Sequence, residues 1–257
     1  MTSGGERLAS GWSWLTQTPI AHRGLVGPGR PANSLAAFEA AAAAGYGCEL
    51  DVQLTTAGEL VVVHDYDLTD LTGAAIRTGR LTPADRQRLR LDGTDERIPS
   101  LMEVLRQVAG RVPLLIELKR PVPILPPTLA SAVLRQLAGY PGPYAVESFD
   151  PVLVAALRVA MLRMPAQRRA PVGRICGLLR TADPLTRLIG RSMLSNVVTR
   201  PDFLAYEVDG FPSRLVAWWR RRDVPVLAWP VTTVEQERYA RQFADNIVFS
   251  GYRPSQQ

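Results

Sequence analysis

Short apolar runs recur along the chain and alternate with longer stretches in which apolar residues follow helical spacing. Eight of these runs predict β-strands, which lie near residues 20, 48, 113, 144, 175, 203, 225 and 246. The stretches between them predict helices; one runs from Leu35 to Ala44 and is stopped by Gly45. Eight βα units in 257 residues predict an α/β fold, a (β/α)8 TIM barrel that forms one domain over residues 1–257.

The stretch from Glu49 to His64 departs from this alternation, because two strand-like halves are joined by only five residues, 55–59. So short a connection can close only an antiparallel hairpin. With the turn at Ala57 and Gly58, Asp51 would lie opposite His64 and both side chains would share one face. Residues 66–99, in which apolar positions are few, are predicted to be an excursion from the main fold.

The net charge restricts the classes of ligand to consider, and the cysteines indicate the redox environment. The chain has 30 basic and 24 acidic residues, a net charge of +6, and Lys119 is its only lysine. An excess of positive charge suits phosphorylated substrates, anionic membranes or nucleic acid. No basic strip interleaved with aromatic residues is present, so we predict no nucleic-acid binding. The two cysteines, Cys48 and Cys176, lie in apolar runs and are predicted to be buried, reduced thiols.

No stretch of the chain offers 18 uninterrupted apolar residues, and the first residues lack the apolar core of a signal peptide. These features predict a cytoplasmic protein. They do not indicate an oligomeric state.

Chemically active side chains gather at the predicted carboxyl ends of strands, where (β/α)8 barrels carry their active sites. These ends, with the return arm of the hairpin, hold both histidines and the only lysine of the chain: His22, Arg23, Glu49, Asp51, His64, Glu117 and Lys119. Three carboxylates make an oxygen-rich site that suits one divalent metal ion, Mg²⁺ or Ca²⁺, better than Zn²⁺. Pairing of these acids with Arg23 and Lys119 alone is the structural alternative.

The other members of this set suit phosphoryl chemistry. An imidazole titrates near neutral pH, so His22 and His64 could act as general base and general acid. Arg23 and Lys119 would stabilise an anionic group that lies between them. A metal ion, two cations and an acid/base pair together favour phosphoryl transfer over acyl or hydride transfer.

The order of these motifs gives the chain a resemblance to a known family. The motifs are His22-Arg23-Gly24, Glu49-x-Asp51, Val62-Val63-His64-Asp65, Ile98-Pro99-Ser100-Leu101, Ile116-Glu117-Leu118-Lys119, Ser148-Phe149-Asp150 and Trp229-Pro230-Val231. Over roughly residues 19–252 the chain resembles the glycerophosphodiester phosphodiesterase family. The resemblance implies a TIM barrel with a small insertion after the second strand, at residues 54–98.

The resemblance also implies the roles of the site residues. The divalent metal ion would bind Glu49, Asp51 and Glu117. His22 and His64 would be the catalytic acid and base, while Arg23, Lys119 and Trp229 would contact substrate and phosphate. The glycerol 2-hydroxyl would attack phosphorus, expel the alcohol and leave a cyclic phosphate that water opens. Which histidine acts first as the base stays open.

The chain departs from the family pattern in two motifs. Members of the family usually carry Pro-Glu-Asn-Thr, whereas this chain has Pro-Ala-Asn-Ser at residues 31–34, so an acidic group is missing at Ala32. Trp-Pro-Val-Thr at residues 229–232 replaces the usual Trp-Thr-Val-Asn. These changes bear on the choice of substrate and on efficiency more than on the type of reaction.

Three alternatives remain. One is hydrolysis of lysophospholipids in the manner of a lysophospholipase D, for which the apolar loop 122–127 and the apolar, basic stretch 161–174 would contact an anionic membrane. A second is a catalytically inert barrel that acts as a binding module. The third is a metal-dependent lyase with Lys119 as the base, which would leave both histidines without a role. The main hypothesis requires only a small-molecule glycerophosphodiester as partner.

Overall fold

The structure is a computed structural model that describes residues 12–120, 124–180 and 184–254. The strands are β1 (Ile20–Ala21), β2 (Gly47–Leu54), β3 (Leu60–Val62), β4 (Leu114–Leu118), β5 (Tyr144–Ser148), β6 (Val172–Cys176), β7 (Phe203–Glu207), β8 (Val226–Val231) and β9 (Asn246–Phe249). The helices are α1 (Trp14–Gln17), α2 (Leu35–Ala43), α3 (Thr69–Thr72), α4 (Pro83–Arg88), α5 (Leu101–Val108), α6 (Pro126–Leu137), α7 (Pro151–Leu162), α8 (Pro184–Ser192), α9 (Ser195–Thr199), α10 (Arg214–Arg220) and α11 (Val234–Ala240). Eight parallel strands confirm the predicted (β/α)8 barrel fold class, and β3 is an added antiparallel strand.

Backbone contacts divide the chain into two compact units. The first unit comprises residues 21–144, and the second comprises residues 1–20 and 145–257. In the first unit β2 pairs in parallel with β4 and antiparallel with β3. In the second unit β5, β6, β7, β8 and β9 follow one another as parallel neighbours.

Helix starts in the first unit carry the capping residues that the sequence suggests. The Ser34 side chain accepts a hydrogen bond from the backbone of Ala37 and begins α2. Thr82 and Ser100 each form a reciprocal capping box, with Asp85 and Glu103 respectively, at the starts of α4 and α5. Predicted and observed helix bounds in this unit therefore differ by only a few residues.

The insertion has a hydrophobic core of its own, which the prediction of few apolar positions missed. This cluster buries Val61, Val63, Leu68, Leu81, Leu89, Leu91 and Ile98. Arg86 ties the insertion to its surroundings: its guanidinium donates to Glu59 at 2.9 Å, to Glu103 at 2.8 Å and to the Ile98 carbonyl at 2.9 Å. The apolar residues were overlooked because they are spread singly along the irregular chain between β3 and α5 rather than at a regular period.

In the second unit the stretch before β1 contains the short helix α1. Trp14 and Leu15 of α1 are buried. The buried Asn246 side chain donates to the carbonyls of Leu15 at 2.9 Å and Thr18 at 2.7 Å, and so fixes α1 to the start of β9. No helix among the described residues is long and apolar enough to cross a bilayer.

Candidate active site

The carboxylate cluster is built by two neighbouring strands of the first unit. Glu49 and Asp51 are two residues apart on β2, so their side chains point to the same face of the strand. The parallel register of β2 and β4 pairs Asp51 with Glu117. Paired residues of parallel strands also share a face, and the three acids therefore converge.

The three carboxylates can be bridged by one metal ion. One oxygen from each of Glu49, Asp51 and Glu117 lies within 4.8 Å of the other two, and all three residues are buried. Burial and the neighbouring acids raise the pKa of Glu49 well above its usual value. Burial likewise raises the pKa of Glu117 to about 7. Buried acids that resist ionisation in this way are what a divalent cation would compensate.

Two cations offset part of this negative charge through Asp51. The Lys119 ammonium lies 2.9 Å from Glu117 and 3.4 Å from Asp51, and the Arg23 Nε atom lies 3.2 Å from Asp51. Burial disfavours ionisation of Asp51, but Lys119 and Arg23 outweigh it and hold its pKa below the usual value. Glu117 and Asp51 in turn outweigh the effect of burial on Lys119 and raise its pKa, so the ammonium stays charged. Pairing of the acids with the two cations is thus present, yet three carboxylates still exceed two cations.

The loop after β1 brings Arg23 and Asn33 to the cluster. The Arg23 backbone N–H donates to Glu49 at 2.8 Å, and the Asn33 backbone N–H donates to the Arg23 carbonyl at 2.9 Å. Both residues have positive φ, 58° and 60°, a conformation that costs free energy for residues other than glycine. Hydrogen bonds to the β2 acids hold the loop in this conformation.

Asn33 also fixes Asp51 directly. Its Nδ2 donates to Asp51 Oδ2 at 2.8 Å, and its Oδ1 accepts from the Asp51 backbone N–H at 3.2 Å. Ser34, and not Asn33, caps α2. Asparagine tolerates a positive φ better than most residues, which was the one sequence signal available for this position.

His22 lies beside the acids at the end of β1, with its Nε2 atom 3.9 Å from Glu49. Burial and the charge of Arg23 lower the pKa of His22 to about 4. The imidazole is therefore neutral at neutral pH and can accept a proton.

His64 reaches the cluster by a route that the predicted hairpin register does not provide. The register places Val62 opposite Val52 and Val61 opposite Gln53, and the Val63 N–H donates to the Asp51 carbonyl at 2.9 Å. Val63, and not His64, is thus opposite Asp51, so the predicted pairing of Asp51 with His64 is wrong. The physical reason is the turn: Thr55 accepts from Gly58 and donates to Glu59, which makes a three-residue loop, Thr56 to Gly58.

Gln53 compensates for this shift in register. β3 ends at Val62, and the buried Gln53 Nε2 lies 3.0 to 3.1 Å from the carbonyl oxygens of Val63, His64 and Asp65. The bend that these contacts hold brings His64 close to the charges of Lys119 and Asp51, which, after burial, act most strongly on its pKa. The net effect lowers the pKa of His64. The sequence pattern does not reveal Gln53, because its role depends on this bend.

The His64 ring is oriented by its neighbour in the chain. Its Nδ1 lies 2.6 Å from Asp65 Oδ1. An ionised carboxylate only accepts hydrogen bonds, so we assign the proton to Nδ1, which leaves Nε2 of the neutral ring with a lone pair.

Six other predicted residues thus lie together with His64 in the first unit, whereas Trp229 belongs to the second unit. There the Trp229 ring meets Phe149 edge to face, with ring centroids 5.5 Å apart, and no described residue accepts a hydrogen bond from its buried Nε1–H. The role of Trp229 in substrate binding stays a prediction.

Comparison with known proteins identifies the family of the chain. Residues 22–249 match the model of the glycerophosphoryl diester phosphodiesterase family. This match covers most of the chain, and the chain belongs to that family.

One curated relative is human glycerophosphodiester phosphodiesterase 1, which is 41% identical over 99 residues. That alignment covers 34% of this chain and 29% of the human protein, so the chain spans less than a third of this relative's length.

Solved structures share the fold over most of the chain. A Silicibacter pomeroyi protein described as a glycerophosphoryl diester phosphodiesterase has 25% identity and a TM-score of 0.76, covering 91% of this chain and 89% of its own. An Oleispira antarctica phosphodiesterase, solved with the product sn-glycerol-3-phosphate, has 21% identity and a TM-score of 0.75. The match to the Oleispira protein covers 93% of this chain and 94% of that one.

Proposed function

We propose that this protein is a metal-dependent phosphodiesterase that hydrolyses glycerophosphodiesters to glycerol 3-phosphate and an alcohol. The observation that carries the proposal is the convergence of three buried carboxylates with two cations and two imidazoles. Membership of the family supports it, as does the glycerol-3-phosphate complex of the Oleispira relative.

Glu49, Asp51 and Glu117 would hold one divalent ion, Mg²⁺ or Ca²⁺. The donor set supports a hard cation, because it consists of carboxylate oxygens without cysteine or histidine at ligand distance. Such an ion supplies orientation of the glycerol oxygens and neutralisation of charge on the phosphate. Each of the three carboxylates has a separate anchor: the Arg23 backbone N–H for Glu49, the Asn33 side-chain amide for Asp51 and the Lys119 ammonium for Glu117.

His22 and His64 would exchange the protons of the two steps. In the first step the glycerol 2-hydroxyl loses its proton to one imidazole while the other protonates the leaving alcohol; in the second step the roles reverse and water opens the cyclic phosphate. His22 enters as a neutral base, since burial lowers its pKa to about 4. Asp65 at His64 Nδ1 would stabilise the imidazolium that forms when Nε2 takes up a proton.

Arg23 and Lys119 would bind the phosphate, because both are charged and partly exposed beside the acids. Trp229 with Phe149 would contact the rest of the substrate. Its unpaired indole N–H is a donor that an oxygen of the substrate could accept.

The test is a panel of diesters, with glycerophosphocholine compared against lysophosphatidylcholine, each assayed with and without a chelator. We expect release of glycerol 3-phosphate from glycerophosphocholine and loss of that release on chelation. Release of choline from lysophosphatidylcholine instead would favour the lysophospholipase D alternative. If neither of these substrates nor any other diester is hydrolysed, the inert binding module is supported.

A variant separates catalysis from metal binding. His64→Ala should abolish turnover while the metal, measured by calorimetry, stays bound, since His64 lies outside the carboxylate cluster. The matched variant Asp65→Asn keeps the imidazole but weakens its Nδ1 partner, and should retain part of the activity. Full activity of His64→Ala would overturn the role of His64.

Two further parts of the proposal concern location. The buried thiols Cys48 and Cys176 support a reducing compartment, the cytoplasm. Contact with an anionic membrane was expected through residues 122–127 and 161–174. Residues 121–123 lie outside the described residues; Leu125 and Leu162 are 68% and 60% exposed, and their exposure supports such a contact.

A further inference from the structure

The short helix α9 exposes apolar side chains and buries polar ones, the reverse of the usual arrangement in a soluble domain. It buries two polar side chains, Asn196 and Thr199, while Val197 and Val198 are 59% and 84% exposed. Leu194, directly before the helix, is 72% exposed. Residues 194, 197 and 198 are three and four apart, so these apolar side chains form one stripe on the outer face.

The stripe is held in place and extended by its neighbours. The Asn196 side chain is turned inward, with Nδ2 3.7 Å from the Cys176 Sγ atom of β6. α9 packs against α7, whose Leu162 is also exposed, and α8 adds Leu188, which is 65% exposed. A soluble domain ordinarily buries such side chains and exposes the polar ones, so this face is suited to an apolar environment.

The same part of the chain holds the whole excess of positive charge. Residues 151–201 contain nine arginines and a single acid, Asp183, a net charge of +8, whereas the chain as a whole carries +6. The remainder of the protein therefore carries a net charge of −2. Six of these arginines are exposed: Arg163, Arg168, Arg169, Arg180, Arg191 and Arg200.

We propose that the α9 stripe, together with the exposed arginines of the same segment, docks the protein onto an anionic phospholipid bilayer. Apolar side chains would enter the boundary between headgroups and acyl chains, and the arginines would reach lipid phosphates along their aliphatic stems. Arg191 and Arg200 bracket the stripe in sequence. The acidic cluster at the candidate active site belongs to the other unit.

Charge decides between a bilayer and a second copy of the chain. A symmetric dimer through this face would place the same patch on both partners, arginine against arginine, with one acid in the segment to compensate. An anionic bilayer supplies the missing counter-charge. The proposal does not depend on phosphodiesterase activity, because it rests on a surface and not on the carboxylate site.

The test is co-sedimentation with vesicles of phosphatidylcholine, with and without phosphatidylglycerol. The wild-type chain should bind the anionic vesicles, bind the neutral ones weakly, and be released by added salt. Leu194→Ser with Val198→Ser should weaken binding to the anionic vesicles about tenfold or more, since both apolar anchors are lost. Arg191→Gln with Arg200→Asn should weaken it by roughly fivefold for each charge removed. Asn is used at residue 200 because its φ is 46°.

A matched control makes the same chemical changes elsewhere. Val234→Ser with Arg238→Gln, both exposed on α11, should leave binding unchanged. Thermal melting of all variants checks that each is folded. Absence of wild-type binding to anionic vesicles, or equal loss in the α11 control, would overturn the proposal. If sedimentation shows a dimer that the α9 variants dissociate, the bilayer proposal is overturned in favour of self-association.

Discussion

Asn33 and Asp51 exchange two hydrogen bonds across 18 residues of sequence, side chain to side chain at 2.8 Å and backbone N–H to amide oxygen at 3.2 Å. This pair links the loop after β1 to the centre of the carboxylate cluster. Outer partners of metal-binding carboxylates commonly orient them and tune their affinity.

Asn33→Gly should test this link, because glycine accepts the positive φ of residue 33 and removes only the side chain. We expect a loss of about 1–3 kcal/mol in the free energy of unfolding and roughly tenfold to hundredfold weaker metal binding. Chemical denaturation and calorimetry would measure the two effects. As a control, Asn33→Asp should lower stability further through repulsion from Asp51. Unchanged metal affinity in Asn33→Gly would contradict the role of Asn33.

Gln53→Met should displace His64, since it removes the donor that contacts three successive carbonyls at residues 63–65. We expect kcat to fall by about tenfold to hundredfold with KM little changed, because a misplaced catalytic group costs rate more than binding. The chain has two histidines only, so imidazole NMR can show a shift of the His64 signal and an unshifted His22 signal.

The matched control for this variant is Gln107→Met, which also removes side-chain hydrogen bonds, there to the Leu35 carbonyl and to Glu39. It should leave kcat unchanged. Equal kcat values for the Gln53 and Gln107 variants would remove Gln53 from the machinery that positions His64.

Stability of the metal-free protein should fall as pH rises from about 4.5 to about 7. Burial raises the pKa of Glu117 to about 7, so in this range the folded state holds a proton that the unfolded state has released. Stability therefore declines with pH through the window, by up to about 3 kcal/mol. Thermal melts in chelator should show the decline, and added Mg²⁺ or Ca²⁺ should reverse it at pH 7. In Glu117→Gln the slope should be smaller; an identical slope would contradict the assignment to Glu117.

Arg86→Met should loosen the insertion, because the buried guanidinium bonds Glu59, Glu103 and the Ile98 carbonyl. We expect a loss of about 2–3 kcal/mol, as the acids and the carbonyl lose their donor. Hydrogen exchange of the amides at residues 54–98 should accelerate. Arg88→Met is the control: Arg88 is exposed and forms an ion pair with Asp85 of the same helix, so its loss should cost less than about 1 kcal/mol. Similar effects of both variants would show that Arg86 is not a specific tie.

The sequence predicted the strands, which show as repeated apolar runs, and the functional residues that lie at strand ends. Eight apolar runs gave the barrel, and the rule that strand carboxyl ends carry function gave Glu49, Asp51 and Glu117 together. Two-residue periodicity alone is sufficient to place Glu49 and Asp51 on one face.

The hairpin shows where such reasoning fails. One additional residue in the loop at Thr56 to Gly58 shifts the register of β3, and no periodic pattern reveals a loop length. His64 nevertheless lies close to the charges of Lys119 and Asp51, because the contacts of Gln53 hold the bend at residues 63–65. Long-range contacts such as those of Gln53 and Asn33 become visible only when the folded backbone is known.

Lys119 provides the only side-chain amine of the protein, and it lies between Glu117 and Asp51 with a raised pKa. Amine-directed reagents need the neutral amine, so the folded protein should resist labelling through lysine. Any variant or ligand that separates Lys119 from the acids would expose a single reactive position. The yield of one acylated peptide would then report directly on the integrity of the carboxylate cluster.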